Sequence, residues 1–228
     1  MKREPAVCLV SGGLDSCVAA ALAARDHRLA LLHCNYGQRT EGRELKAFND
    51  LADFYSVPPE LRLSIALDHF RKIGGSCLTD PDREIPAGEP APGEVPPTYV
   101  PFRNANLLAL AVSWAEAIGA ERVFIGAMEE DSAGYPDCRE EFIVAFNRAV
   151  ELGTGPGSRI RIEAPLIHLS KGDAVRRGLE VGAPLRLTWS CYVSSGPRPC
   201  GVCASCRLRA RGFAEAGVPD PILGGEPG

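Results

Sequence analysis

A chain of 228 residues that is 45% hydrophobic and 24% charged can bury one full-sized core, which excludes wholesale disorder. Its net charge of -4 at pH 7 gives no general attraction to nucleic acid or to an anionic membrane, and favours a small-molecule substrate. No run of about 18 apolar residues is present that could span a bilayer.

Residues 1–5 lead directly into a strand-like segment, without the apolar core and cleavage site of a signal peptide, so a cytoplasmic setting with reduced thiols is expected. Residues 6–10 form a short apolar run ending in Ser11-Gly12-Gly13, the pattern of a buried parallel strand entering a tight turn. Residues 14–25, alanine-rich and free of Pro and Gly, predict the helix that follows. A second buried strand is expected at 28–34, a second helix at 41–55 and a third strand at 60–66. Prolines at 81, 86, 90, 92, 96 and 97 mark residues 74–97 as a loop inserted at the rim of the sheet, at least partly mobile. A long alanine/leucine helix at 104–118, closed by Gly119, comes next, then a fourth strand at 122–126. A helix at about 140–152 and a strand at 160–164 follow. Ser170, with Asp173 three residues on, opens a helix to 181, and a short helix from about 207 to 216 closes the pattern. Strands alternating with helices predict an α/β fold: a doubly wound parallel sheet, covered on both faces, with right-handed crossovers. Ligands of such sheets bind outside the carboxyl ends of the strands, where residues 11–16, 35–39 and 127–131 fall.

Ser11-Gly12-Gly13-Leu14-Asp15-Ser16 joins the first strand to the first helix. Two glycines allow the dihedrals that turn successive N–H groups toward one point, and the helix start adds unpaired N–H groups and partial positive charge, a cradle for polyphosphate. Ser11 and Ser16 offer hydroxyl donors, and Asp15 is the candidate partner for the magnesium that accompanies ATP. Ser-Gly-Gly alone is a common turn; the whole string in a strand–loop–helix setting is much rarer.

Nine cysteines, an odd number, argue against a disulfide framework in a reducing compartment. Cys191, Cys200, Cys203 and Cys206 have C-x8-C-x2-C-x2-C spacing, and four sulfurs without a nearby His favour zinc over an iron–sulfur cluster or a redox dithiol. Four protein ligands leave no open position, so the metal is expected to be structural. Cys8, Cys17, Cys34, Cys77 and Cys138 are scattered and read as small buried apolar residues.

The Ser-Gly-Gly-x-Asp-Ser string resembles the PP-loop ATP pyrophosphatases, which are similar in fold to the Rossmann-like adenine nucleotide alpha hydrolases. Further motifs narrow the likeness: Tyr36-Gly37-Gln38-Arg39, Tyr99-Val100-Pro101-Phe102-Arg103-Asn104, Gly134-Tyr135-Pro136-Asp137-Cys138-Arg139 with Phe142, Leu169-Ser170-Lys171 and Thr188-Trp189-Ser190-Cys191-Tyr192. With Arg207, Gly212, Phe213, Ala216-Gly217 and Asp220-Pro221, they resemble the 7-cyano-7-deazaguanine synthase family in matching order from Val10 to Pro221. Each motif also has an ordinary reading, as a turn or a helix N-terminus. Asn35 and Thr40 depart from the Asp and His common in relatives, and the stretch 85–97 looks expanded.

The resemblance implies an ATP-dependent carbon–nitrogen ligase of queuosine and archaeosine biosynthesis. It would convert 7-carboxy-7-deazaguanine, ammonia and ATP to 7-cyano-7-deazaguanine (preQ0) through an adenylated carboxylate and an amide. It implies ATP contacts at Val10, Ser11, Gly12, Gly13, Leu14, Asp15, Ser16, Cys17, Val18, Ala19 and Ala20, with Mg2+. Catalytic roles fall to Ser11, Asp15, Ser16, Arg103 and Lys171, and substrate contacts to Tyr36, Gln38, Arg39, Arg103, Asn104 and Asp137. Zn2+ would sit on the four clustered cysteines, and the assembly would be a homodimer with no nucleic-acid or membrane partner. The organisation expected is a nucleotide-binding domain over 1–185 and a zinc-binding segment over 186–228 packed on it. The nearest rival is another PP-loop ligase making an amide or a thiolated base, but no catalytic cysteine or sulfur-carrier domain stands out. A zinc-ribbon nucleic-acid-binding protein would need a basic stripe, against the acidic balance.

Overall fold

The computed structural model describes residues 3–88, 94–129 and 134–223. Five strands, β1 (Pro5–Leu9), β2 (Arg28–Asn35), β3 (Arg62–Ala66), β4 (Arg122–Phe124) and β5 (Arg161–Glu163), form one sheet in the order β3-β2-β1-β4-β5. Every pairing is parallel. All of β1 is buried, and so are residues 29–34 of β2. Continuous burial instead of alternation means that both faces of the central strands are covered, as the apolar runs predict. The polar exception, His33, is satisfied internally: Nδ1 bonds Val10 C=O at 2.8 Å and Nε2 bonds Asn35 Oδ1 at 2.8 Å.

The helices are α1 (Leu14–Asp26), α2 (Glu41–Phe54), α3 (His69–Ile73), α4 (Arg103–Ile118), α5 (Glu140–Gly153), α6 (Lys171–Glu180) and α7 (Ala204–Glu215). The chain builds outward through β1, β2 and β3, then returns to the other side of β1 for β4 and β5. Right-handed crossovers then put α1 and α2 on one face and α4 and α5 on the other. Helix α6 packs on α1, and α7 on α6. The reversal lies between β1 and β4, where a crevice opens at the strands' carboxyl ends.

Sequence-based boundaries shift for identifiable reasons. Ser170 caps α6 as expected, accepting from Asp173 N–H at 3.1 Å, and Gly119 closes α4 with φ +70°. The single turn α3 was not expected, since five residues carry no readable period. Helix α7 starts at Ala204, a turn earlier than the expected 207, so Cys206 sits in its first turn. The loop over 74–97 is anchored more deeply than a rim insertion: Ser76, Cys77, Leu78 and Thr79 are all buried, and Cys77 N–H bonds Pro97 C=O at 2.9 Å. Farther along, Ala87 and Gly88 bridge to Cys203. Residues 89–93 of that loop, and 130–131 of the expected site after β4, lie outside the described residues. Among the described residues, no helix is long and apolar enough to cross a membrane.

Candidate active site

The chain leaves β1 through Val10 and turns at Ser11-Gly12-Gly13 into α1. Gly12 has φ +88°, and a Cβ there would lie 2.7 Å from the Glu44 carbonyl oxygen of α2. At the end of β4 a Cβ on Gly126 would lie 2.6 Å from the Asp15 carbonyl carbon, so the α1 N-terminus abuts the neighbouring strand. Ser11 Oγ accepts from Gly13 N–H at 3.2 Å, and Ser16 Oγ donates to Gly13 C=O at 3.0 Å. The first intrahelical bond is Cys17 N–H to Gly13 C=O at 3.1 Å, which leaves the N–H groups of the first turn without intrahelical partners. Lys171, at the start of α6, places Nζ 2.8 and 2.9 Å from the two carboxylate oxygens of Asp15. Helix α7 reaches Lys171 closely through Gly212, where a Cβ would lie 2.3 Å from Lys171 Cγ.

A cavity of ≈ 280 Å³ opens in the crevice. Ser11, Gly13, Asp15, Ser16 and Lys171 line one part of it, and Tyr36, Arg103, Asn104, Tyr135 and Tyr192 another. Arg103 Nη1 donates to Tyr36 OH at 2.9 Å, and the guanidinium lies 5.1 Å from the Tyr36 ring centroid. Burial pushes the Tyr36 phenol up to about 12 despite the opposing pull of Arg103, and burial raises Tyr135 and Tyr192 too. All three phenols therefore stay neutral hydrogen-bond donors near pH 7. Burial works against the Arg103 charge, but Tyr36, Tyr192, Cys138 and Asp137 outweigh it and raise its pKa, so the guanidinium stays charged. The cavity pairs a phosphate-sized cradle with a cationic, aromatic end suited to a planar anion.

Beside the cavity, one sulfur from each of Cys191, Cys200, Cys203 and Cys206 lies within 4.8 Å of the others. A tetrahedral metal with metal–sulfur bonds of about 2.3 Å needs edges of roughly 3.8 Å, and Cys200 Sγ lies 3.9 Å from Cys206 Sγ. The N–H groups of Val193, Ser194 and Cys200 donate to Cys191 Sγ at 3.4, 3.2 and 3.3 Å, which favours a thiolate. The hydrogen bond shared with Cys206 lowers the Cys203 thiol, so one of the pair gives up its proton more readily. The donor set fits a metal ion. The other cysteines are buried, and burial pushes the Cys17 and Cys34 thiols up to about 12 and raises Cys8 and Cys77. Cys8, Cys17 and Cys77 pack as apolar filling, as their scatter suggested, whereas Cys34 and Cys138 also line the cavity and Cys138 Sγ accepts from Asn104 Nδ2 at 3.2 Å.

The profile of the family described as queuosine biosynthesis protein QueC matches residues 5–217. The chain belongs to that family. A protein of Acidobacterium capsulatum is 55% identical over 225 residues, covering 97% of this chain and 96% of that one. Relatives from Chlorobium phaeobacteroides and Chlorobium chlorochromatii are 53% and 52% identical over 218 residues, covering 95% of this chain and 95% and 94% of theirs. All three carry the name 7-cyano-7-deazaguanine synthase.

Within this QueC-family fold the expected site residues divide. Val10, Ser11, Gly13, Leu14, Asp15, Ser16, Tyr36, Arg103, Asn104 and Lys171 line the cavity. Cys17, Val18, Ala19 and Ala20 are buried in α1, and Gly12 shapes the turn from behind. Gln38, Arg39 and Asp137 do not line the cavity. Gln38 Oε1 accepts from Tyr36 N–H at 2.8 Å while its amide donates to Glu44 at 2.9 Å. Arg39 donates to the carbonyls of Asp80, Pro81 and Arg83, so it pins the long loop. Asp137 Oδ2 accepts from Asn104 N–H at 2.8 Å, capping α4 and setting the direction of Asn104. Their motif neighbours reach the cavity because a turn sends adjacent side chains in different directions. Sequence reasoning missed Thr98, Trp189, Ser190, Tyr192, Ser205 and Arg209 as cavity walls. The 188–192 motif was the available signal, but its proximity to the cysteines pointed to the metal instead.

Proposed function

We propose that this chain is an ATP-dependent ligase that makes 7-cyano-7-deazaguanine from 7-carboxy-7-deazaguanine and ammonia. The observation that carries this reading, beside family membership, is one cavity holding both the Asp15–Lys171 phosphate cradle and the charged Arg103 among three phenols. The first-turn N–H groups of α1, with Ser11 and Ser16, bind the ATP phosphates. Asp15 holds Mg2+, which when bound neutralises phosphate charge. Lys171 adds a fixed cation that stabilises charge growing on the departing pyrophosphate. Tyr36, Arg103 and Asn104 orient the deazaguanine acid so that a carboxylate oxygen faces the α-phosphorus.

A carboxylate repels nucleophiles and has no good leaving group. Transfer of AMP to its oxygen expels pyrophosphate and mends both faults. Ammonia then adds to the carbonyl carbon, AMP leaves with the former carboxylate oxygen, and the amide remains. A second ATP adenylates the amide oxygen, and loss of AMP with the amide protons leaves the nitrile. No covalent enzyme nucleophile is required, consistent with the protonated, buried cysteines.

The four clustered cysteines hold Zn2+ as a structural ion, since the set leaves no protein position open. The nucleotide-binding part over 1–185 and the metal segment over 186–228 work as one catalytic unit, because Ser190 and Tyr192 supply cavity wall. The enzyme acts in the cytoplasm as a homodimer on free small molecules. Quantifying nucleotide products with 7-carboxy-7-deazaguanine, ammonium and Mg-ATP tests the adenylation step: AMP and pyrophosphate must appear only when the acid is added. ADP and phosphate instead would refute it.

A further inference from the structure

Trp189 lies between the four-cysteine cluster and the phosphate loop, beside Ala47 of α2. Trp189 packs in a small separate core with Ala47, Cys191, Cys203 and Cys206. Its backbone N–H donates to Gly12 C=O at 2.7 Å, and its carbonyl oxygen lies 3.8 Å from where a Gly13 Cβ would stand. The guanidinium of Arg43, on α2, lies 4.1 Å from the Trp189 ring centroid. The same helix supplies the Glu44 carbonyl that crowds Gly12. Trp189 is only 4% exposed, and its Nε1 has no hydrogen-bond partner. Packing and the Arg43 stack hold this ring in place, so its position depends on the cysteine side chains beneath it.

The geometry points to Trp189 as a positioning residue that makes the shape of the ATP loop depend on occupancy of the metal site. A bound metal fixes three sulfurs against the indole. The fixed indole holds the Trp189 N–H on the Gly12 carbonyl, and that bond keeps Gly12 in its positive-φ turn with the loop N–H groups aimed at the cavity. Without the metal nothing ties the sulfurs together, the ring loses its floor and the loop relaxes. The ion thus sets nucleotide affinity while touching no nucleotide. Only the affinity consequence rests on the ATP-loop reading of the site; the loop's order does not.

Hydrogen–deuterium exchange on the full-length protein tests the tether directly. Peptides covering residues 10–17 are compared in zinc-loaded and chelator-treated wild type, and in zinc-loaded Trp189→Phe and Trp189→Ala. Metal removal should speed loop exchange about tenfold or more, and loaded Trp189→Ala should match that rise, while Trp189→Phe, which keeps a ring, stays within about threefold of wild type. Loop exchange unchanged in loaded Trp189→Ala overturns the inference, even if chelation alone unfolds the wild type. Titration with ATP adds the second readout: loaded Trp189→Ala should bind ATP about tenfold more weakly. A loaded wild type that binds no ATP would refute the proposed function, while the exchange data would still decide the tether.

Discussion

Lys171 and Asp15 form a pair in which the lysine side chain is 9% exposed and the carboxylate 31%. Replacing Lys171 with Met removes the fixed cation while keeping the stem that packs against Gly212. Acid-dependent pyrophosphate release should fall about 10²- to 10³-fold, with the far-UV spectrum unchanged. Arg103 and Arg39 make a sharper contrast, because both were expected to meet substrate and only Arg103 lines the cavity. Arg103→Ala should raise KM for the deazaguanine acid by about tenfold or more, and Arg39→Ala by less than about threefold. Steady-state kinetics with the acid varied at saturating ATP separates the two. The buried thiols add a pH dependence. Cys17 and Cys34 ionise near 12 when folded and near 9.0 ordinarily, because burial disfavours the thiolate. The unfolded chain therefore loses those protons first, so their stabilising contribution is complete below about 9 and is lost as pH rises toward 12. Denaturant midpoints of the metal-loaded protein should fall steadily between pH 9 and 11, and a flat profile would contradict the assignment.

At the scale of elements, the site exists because two glycines let α1 approach its neighbours. Gly126→Ala would drive a methyl group into the Asp15–Ser16 backbone at 2.6 to 2.8 Å. ATP affinity should drop about tenfold or more by equilibrium titration, as α1 is pushed off β4. Helix α7 is held by Arg209, which pairs both Asp220 oxygens at 2.7 and 2.9 Å and reaches Thr188 Oγ1 at 2.7 Å. Arg209 is 3% and Asp220 8% exposed. Asp220→Ala leaves a buried cation unpaired and should cost about 3–5 kcal/mol in chemical denaturation. Strands and long helices were legible in the sequence because apolar runs and caps such as Ser170 and Gly119 are local signals. The direction taken by Arg39 or Asp137 was not legible, since it depends on what lies opposite in space: the carbonyls of 80–83 for one, the Asn104 amide for the other.

At the scale of the molecule, the strand order puts the reversal between β1 and β4, and the chain spends its chemistry there. The phosphate loop comes from the first half and Gly126 from the second, while Lys171, Trp189 and Tyr192 arrive from beyond the sheet. That convergence explains why residues from Leu9 to Arg209 line one cavity, of which the 11–16 loop was legible as a local stretch and most of the remaining wall was not. The C-terminal segment shares in that cavity, with Ser190, Tyr192, Ser205 and Arg209 among the lining residues. The most direct test of the central claim is mass spectrometry of the products after the metal-loaded protein is incubated with 7-carboxy-7-deazaguanine, ammonium, Mg2+ and ATP. The account predicts 7-cyano-7-deazaguanine, absent with Asp15→Ala or Ser16→Ala. Unchanged acid from a folded, ATP-binding protein would contradict it.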